Sequence, residues 1–284
     1  MNILVTGSNG QLGSEFRDLA PNYTQHQFFF TDQDELDIIQ AEKLLKFLKA
    51  NKIECLINCA GYTSVDQAED NKPEAIRLNA TAVKQMAEAT AKVGAIMIHI
   101  STDYVFEGKN FKPYTENDTA SPKTTYGKSK LDGEIEMIFN AKRALVFRTS
   151  WLYSSHGNNF VKNILEKAKS EKELRVVYDQ VGTPTYARDL AVGILEILPK
   201  IPSKIRAEIY NFSNEGVASW YDFAKAILEI KGVDCKVVPV LTKDFPTPAQ
   251  RPHYSVLNKS RVKKDFGIEI PHWRDSLKDC LQKL

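Results

Sequence analysis

Cysteine is scarce in this chain. Four residues in 284, Cys55, Cys59, Cys235 and Cys280, are too few and too scattered for a disulfide framework, and Cys55 and Cys59 do not form a CxxC pair. No apolar run approaches the roughly 18 residues of a membrane span. The first strand-like run begins at Asn2, which leaves no room for a secretory leader, so a cytoplasmic protein is expected. Charge of one sign is also lacking: 38 Lys and Arg face 36 Asp and Glu, interspersed along the chain. That balance argues against nucleic-acid and membrane partners. The five histidines form no HExxH or similar constellation, so no catalytic metal is expected. Internal repeats, low-complexity tracts and Gly/Ser linkers are absent as well.

What remains is a globular chain, 43% hydrophobic, with a regular alternation in its first half. The β-rich runs NILVTG, HQFFFTD, ECLINCAG, AIMIHIST and ALVFRTSW, starting at Asn2, His26, Glu54, Ala95 and Ala144, alternate with amphipathic stretches such as AEKLLKFLKAN. The pattern predicts an α/β fold, a Rossmann-type doubly wound parallel sheet with right-handed crossovers. After residue 150 the pattern loosens and prolines at 246, 248 and 252 break it. A dinucleotide-binding domain over 1–150 and a smaller mixed α/β substrate lobe over 151–284, interleaved with the first, are expected.

The first strand runs into Gly7-Ser8-Asn9-Gly10-Gln11-Leu12-Gly13 and then a helix. In that context Gly7 permits the tight turn, Gly10 lets the backbone approach a pyrophosphate, and Gly13 lets helix and strand pack closely. Asp32, at the end of the second strand, is placed to accept hydrogen bonds from the adenosine ribose, unless it is only a solvated loop acid. The segment Thr31 to Asp37 carries four carboxylates and no Lys or Arg. With no compensating cation nearby, a 2′-phosphate would be repelled, so NADH is expected to be favoured over NADPH.

Tyr126 and Lys130 stand four apart at the start of a helical pattern and share one face. An ammonium beside a phenol favours the phenolate and brings tyrosine nearer working pH. Thr102 ends the fourth strand in Ser101-Thr102-Asp103, where the carboxyl end of a parallel strand faces a ligand crevice. Its hydroxyl can donate to a carbonyl oxygen that is becoming an alkoxide, or it can simply cap the next turn.

With GSNGQLG and YGKSK in place, and with INCAGYTSVDQAE, IHISTDYVFEG, FRTSWLY, NNF, DQVGTPT and PTPAQRPHYSVLN besides, the chain resembles the extended short-chain dehydrogenase/reductase superfamily. Within it the chain resembles the family of dTDP-4-dehydrorhamnose reductases over nearly its whole length. The resemblance implies reduction of the C4 ketone of a dTDP-linked keto deoxysugar, in making a polysaccharide precursor, with NADH or NADPH. It also implies roles: Gly10, Gln11 and Leu12 at the pyrophosphate, Asp32 at the ribose, Asp37 and Ile38 on the adenine side. Gly61, Tyr62 and Thr63 would line the cofactor under the third strand and Ile100 the nicotinamide pocket. Tyr126 would donate the proton, Lys130 would hold the nicotinamide ribose, and Thr102, Asp103 and Trp151 would bind the sugar. Apart from the resemblance, Arg251 in the RPHYS run could meet the substrate diphosphate, since a guanidinium recognises phosphate oxygens, or be a solvated loop arginine. From the residues alone, Trp151, as a tryptophan in a strand, reads as core rather than as a site residue.

Other activities on the same scaffold are ketoreduction of another nucleotide sugar, epimerisation and dehydration. Dehydratases of this type commonly carry Thr-Asp-Glu, whereas Thr102-Asp103-Tyr104 stands here. A binding protein, the regulatory subunit of methionine adenosyltransferase, also resembles the family and can keep the Tyr/Lys pair. Thr102, Asp103, Trp151 and DQVGTPT together point to catalysis instead. The chain is compatible with a homodimer.

Overall fold

Runs such as Cys55–Asn58 and Ala144–Thr149 are buried at every position, the signature of parallel strands covered on both faces. The computed structural model, which describes residues 1–284, bears this out. Strands β1 (Asn2–Thr6), β2 (Gln27–Thr31), β3 (Cys55–Asn58), β4 (Ile96–Thr102) and β5 (Ala144–Thr149) are joined by β10 (Ala207–Asn211) in one parallel sheet, ordered β2-β1-β3-β4-β5-β10. Three small pairs complete the strands: β6 (Leu152–Tyr153) with β9 (Thr185–Tyr186), β7 (Glu173–Val177) with β12 (Lys236–Val240), and β8 (Val181–Gly182) with β11 (Ala218–Ser219).

Alternate residues of each strand feed opposite layers. Ile3 and Val5 pack with Phe16 of α1 (Gln11–Leu19), Ile194 of α8 (Ala187–Ile197) and Phe266 of α10 (Ser260–Phe266). Leu4 faces the other way, toward Leu44 of α2 (Ala41–Ala50), Met86 of α5 (Ala82–Val93) and Met137 of α6 (Thr125–Asn140). The short helices α3 (Val65–Asp70) and α4 (Lys72–Ile76) and a π-helical turn, Arg77–Thr81, lead into α5. A third core joins α7 (Phe160–Ala168), α9 (Trp220–Lys231) and α11 (Trp273–Leu281) through Val161, Phe223 and Leu277. Residues beyond 150 thus return to the large sheet: β10 extends its edge, and α8 and α10 cover one of its faces. No helix is long and apolar enough to cross a membrane.

The sheet order reverses at β1, and loops after β1 and β3 meet there, at the switch point where such folds place ligands. Helix α6 is fixed on the neighbouring strands by a buried ion pair. Arg148 of β5 donates to Glu134 of α6 from Nη2 at 2.7 Å and from Nε at 3.0 and 3.2 Å, with side chains only 4% and 1% exposed. The Ser101 hydroxyl of β4 donates to the same carboxylate.

Removing one charge of a buried pair strands the other in a low-dielectric interior. Arg148→Met is therefore expected to lower stability by about 3–5 kcal/mol in urea denaturation, with much of the loss recovered in Arg148→Met/Glu134→Leu. A single-variant loss below about 1 kcal/mol would show the pair to be dispensable.

Candidate active site

The turn from β1 to α1 brings two backbones together. Gly7 has φ 64°, and a Cβ there would lie 2.5 Å from the Ala60 nitrogen, so only glycine fits. Gly13 packs on the same turn, where a Cβ would meet Ser8 Cα at 2.5 Å. Gly10 precedes α1 without any side-chain cap, which leaves the first-turn N–H groups of the helix free for an anion. They open into a cavity of about 730 Å3, on whose wall Gly7, Gly10, Gln11 and Leu12 lie. This open helix start beside a glycine that admits close backbone approach suits a dinucleotide pyrophosphate.

Asp32, Asp37 and Ile38 line the far end of the cavity. Asp32 is already engaged, since Oδ2 accepts from the Asn9 N–H at 3.0 Å and Oδ1 from the Gln33 N–H at 2.9 Å. The Gln40 amide, then the Ile39 N–H, hold the Asp37 carboxyl below its ordinary range. The lack of cations in residues 31–37 does not carry over to three dimensions. Arg17 of α1 lies over the Phe30 ring and donates to the Ser8 hydroxyl at 2.9 Å, while Arg77 lines the cavity. Gly61 and Thr63 also line it. Gly13 and Tyr62 do not: Tyr62 exchanges backbone hydrogen bonds with the Asn79 amide, at 2.8 and 3.0 Å.

The wall continues along the end of β4 with Ile100, Thr102 and Asp103, faced by Tyr126 and Lys130 of α6. The Thr124 hydroxyl caps α6 by accepting from the Gly127 N–H at 3.0 Å, so the helix starts at Thr125 and places Tyr126 in its first turn. Burial raises Tyr126 to about 12, against a downward pull from the Thr102 hydroxyl. Desolvation is the leading cause, so the ligand-free site keeps this phenol protonated. Lys130 itself is lowered to about 8 by burial, with Glu134 opposing, and donates to the Ile100 carbonyl at 2.6 Å. Burial also lifts Asp103 to about 7. Its Oδ1 accepts from the Thr102 hydroxyl at 3.0 Å, whereas Oδ2, beside Ser255, makes no hydrogen bond of normal geometry. Thr102 Oγ1 in turn accepts from the Tyr104 N–H, so this hydroxyl does cap the next turn.

Trp151 is not part of a strand. It follows β5 with φ 48°, a left-handed conformation rare for a bulky residue, and its half-buried ring stacks on Trp220 at 3.6 Å with 9° between planes. Gly182 of the DQVGTPT run makes room, since a Cβ there would lie 2.7 Å from Trp151 Cε2. Both indoles line the cavity. Trp220 escaped the sequence reading because it stands just after Ser219 at a helix start, where an aromatic carries no distinguishing signal. The loop before α7, whose NNF run marks the resemblance but was given no site role, also belongs here: Gly157, Asn158 and Asn159 line the cavity, and the Asn159 amide donates to Gln11 Oε1 at 3.0 Å. Arg251 lies elsewhere, in an ion pair with Asp66, and does not line this cavity.

A family model described as RmlD substrate binding domain matches residues 1–284. A dTDP-4-dehydrorhamnose reductase of Aggregatibacter actinomycetemcomitans is 38% identical, over 98% of this chain and 97% of its own length. The chain belongs to the dTDP-4-dehydrorhamnose reductase family. Crystal structures agree with that membership. The family's Clostridium acetobutylicum reductase superposes with a TM-score of 0.94 at 40% identity, covering 99% of each chain. One from Bacillus anthracis, in complex with NADP, gives 0.94 at 34% identity, covering 100% of this chain and 99% of its own.

Gly182→Ala should push Trp151 off Trp220 and weaken the near-UV and exciton circular dichroism of the stacked pair, while far-UV ellipticity stays close to wild type. Trp151→Ala sets the signal expected for full loss. An unchanged couplet in Gly182→Ala would remove Gly182 as the support of the stack.

Proposed function

We propose that the protein reduces the C4 ketone of dTDP-4-dehydro-L-rhamnose to dTDP-L-rhamnose, using NADH or NADPH. The observation that carries this reading is Tyr126, kept protonated by burial beside the Thr102 hydroxyl, in the cavity that begins at the open N-terminus of α1. The α1 N–H groups would hold the pyrophosphate, Asp32 the adenosine ribose and Lys130 the nicotinamide ribose. The bound nicotinamide supplies the hydride. Tyr126 gives its phenolic proton to the carbonyl oxygen as charge develops there, and a tyrosine held near 12 is in the right form to do so throughout neutral pH. Thr102 turns its hydroxyl from Asp103 to the same oxygen, a donor aimed where negative charge appears. Asp103 Oδ2, a buried acceptor without a regular partner, suits a sugar hydroxyl. The Trp151–Trp220 stack offers a flat apolar face to the 6-methyl group. Ile135, Ile138 and Phe139, exposed on the outer side of α6, support a homodimer.

The test is NAD(P)H oxidation with dTDP-4-dehydrorhamnose beside UDP- and GDP-linked keto sugars. Tyr126→Phe is expected to bind cofactor normally and to turn over roughly 100-fold or more slowly. Near wild-type turnover would take Tyr126 out of the chemistry.

Between cofactors, kcat/KM is expected to be higher for NADH, on the reading that the Asp32 carboxylate would repel a 2′-phosphate more than Arg77 on the cavity wall, or Arg17 held by Ser8 and Phe30, would attract it. Asp32→Ala should narrow the gap by relieving NADPH while removing a ribose contact from NADH. A wild-type preference for NADPH of about tenfold, or about 1.4 kcal/mol, would overturn this role.

A further inference from the structure

Reduction by Tyr126 and Thr102 gives no part to His99 on β4, a fully buried titratable side chain within reach of Lys130. The polar chain leading to it has a fixed direction. The Ala60 backbone N–H donates to Asn58 Oδ1 at 3.1 Å, and the Thr6 hydroxyl donates to the same oxygen at 2.8 Å. A backbone N–H can never accept, so the Asn58 amide cannot be turned around without stranding it. Asn58 Nδ2 therefore faces His99 Nδ1, at 3.0 Å, and Nδ1 must be the acceptor. The single proton of a neutral imidazole then sits on Nε2. That nitrogen lies 3.4 Å from Lys130 Nζ.

An ammonium has three donors and no lone pair, so protonated Lys130 has nothing to offer the Nε2–H. The neutral amine does. We propose that His99 is a positioning residue whose Nε2–H donates to the lone pair of neutral Lys130, so that a network rooted in the Ala60 backbone stabilises the amine form at the centre of the site.

The other groups that face Lys130 do not do this. The Cys59 thiol is kept neutral by burial, the Glu134 carboxylate favours the ammonium but is shared with Arg148, and Tyr126 lies four residues earlier on the same helix face. Burial, then Lys130, keep His99 well below its ordinary value, so the ring stays neutral. The consequence for catalysis rests on the reductase reading. When the Tyr126 O–H bond breaks toward the alkoxide, the phenolate regains its proton from the Lys130 ammonium, the amine left behind is held by His99, and solvent returns a proton before the next turnover.

The test needs no substrate. In protein labelled with 15N-histidine, long-range 1H–15N spectra, assigned with His99→Phe, are expected to show His99 protonated at Nε2 and bare at Nδ1; a proton on Nδ1, or on both nitrogens, overturns the proposal. In protein labelled with 13Cε-lysine, assigned with Lys130→Met, the Lys130 midpoint near 8 is expected to rise by about one pH unit or more in His99→Phe. Asn58→Asp checks the direction without removing the ring: its carboxylate can only accept, so the ring proton would move to Nδ1 to donate to it, leaving a bare Nε2 toward Lys130 and raising the midpoint too. Midpoints unmoved in both variants would refute the tuning role even with the Nε2–H tautomer. A protein that passes these tests but does not reduce the keto sugar would sink the reductase reading and leave the role of His99 intact.

Discussion

Two charges taken out of water, Arg148 and Glu134, hold the working parts of the site together. Tyr126, Lys130 and Glu134 follow at four-residue spacing on one face of α6, so whatever fixes Glu134 fixes the other two. Glu134 is gripped by Arg148 from β5 and by Ser101 from β4, the residue just before Thr102. The Tyr126 phenol on the helix and the Thr102 hydroxyl on the strand are thus registered by one buried carboxylate. Such a pair adds little net stability over apolar packing, because desolvation offsets the attraction. Its use here is geometric, as its partners can be satisfied in only one arrangement.

Dehydration of the site then sets its acid–base states. Burial is the leading cause for Tyr126, Lys130, Asp103 and His99 alike, and in each it disfavours the charged form. The phenol stays protonated, the ammonium is loosened, Asp103 moves up to about 7 and the imidazole is neutral. A ligand entering this cavity meets aligned donors and acceptors more than full charges, which suits stabilisation of a transient alkoxide without binding anions indiscriminately.

Periodicity and local chemistry made much of this legible. Fully apolar runs at regular intervals specify a parallel sheet, a glycine turn between strand and helix specifies close backbone approach, and Tyr126 and Lys130 at four apart share a face whatever surrounds them. These signals lie within short stretches, where the backbone alone dictates who is near whom. Less local features were hidden. Trp220, 69 positions from Trp151 in the sequence numbering, meets it only because Gly182 and the left-handed backbone at 151 turn the ring toward it.

By itself, then, the sequence determined the doubly wound architecture, the phosphate-binding turn, the Thr102/Tyr126/Lys130 constellation and the family. Only the tertiary structure decided that β10, α8 and α10 complete the first half of the chain, that Arg77 lines the cavity while Arg17 lies over Phe30, and that Arg251 is paired with Asp66. It also decided protonation states. Lys130 beside Tyr126 reads in sequence as a charge that lowers a phenol, whereas the leading cause in the ligand-free fold is burial, which raises it and is a property of the whole packed molecule. A residue's type and spacing state what it can donate or accept; the amount of water left around it is set by segments far away along the chain.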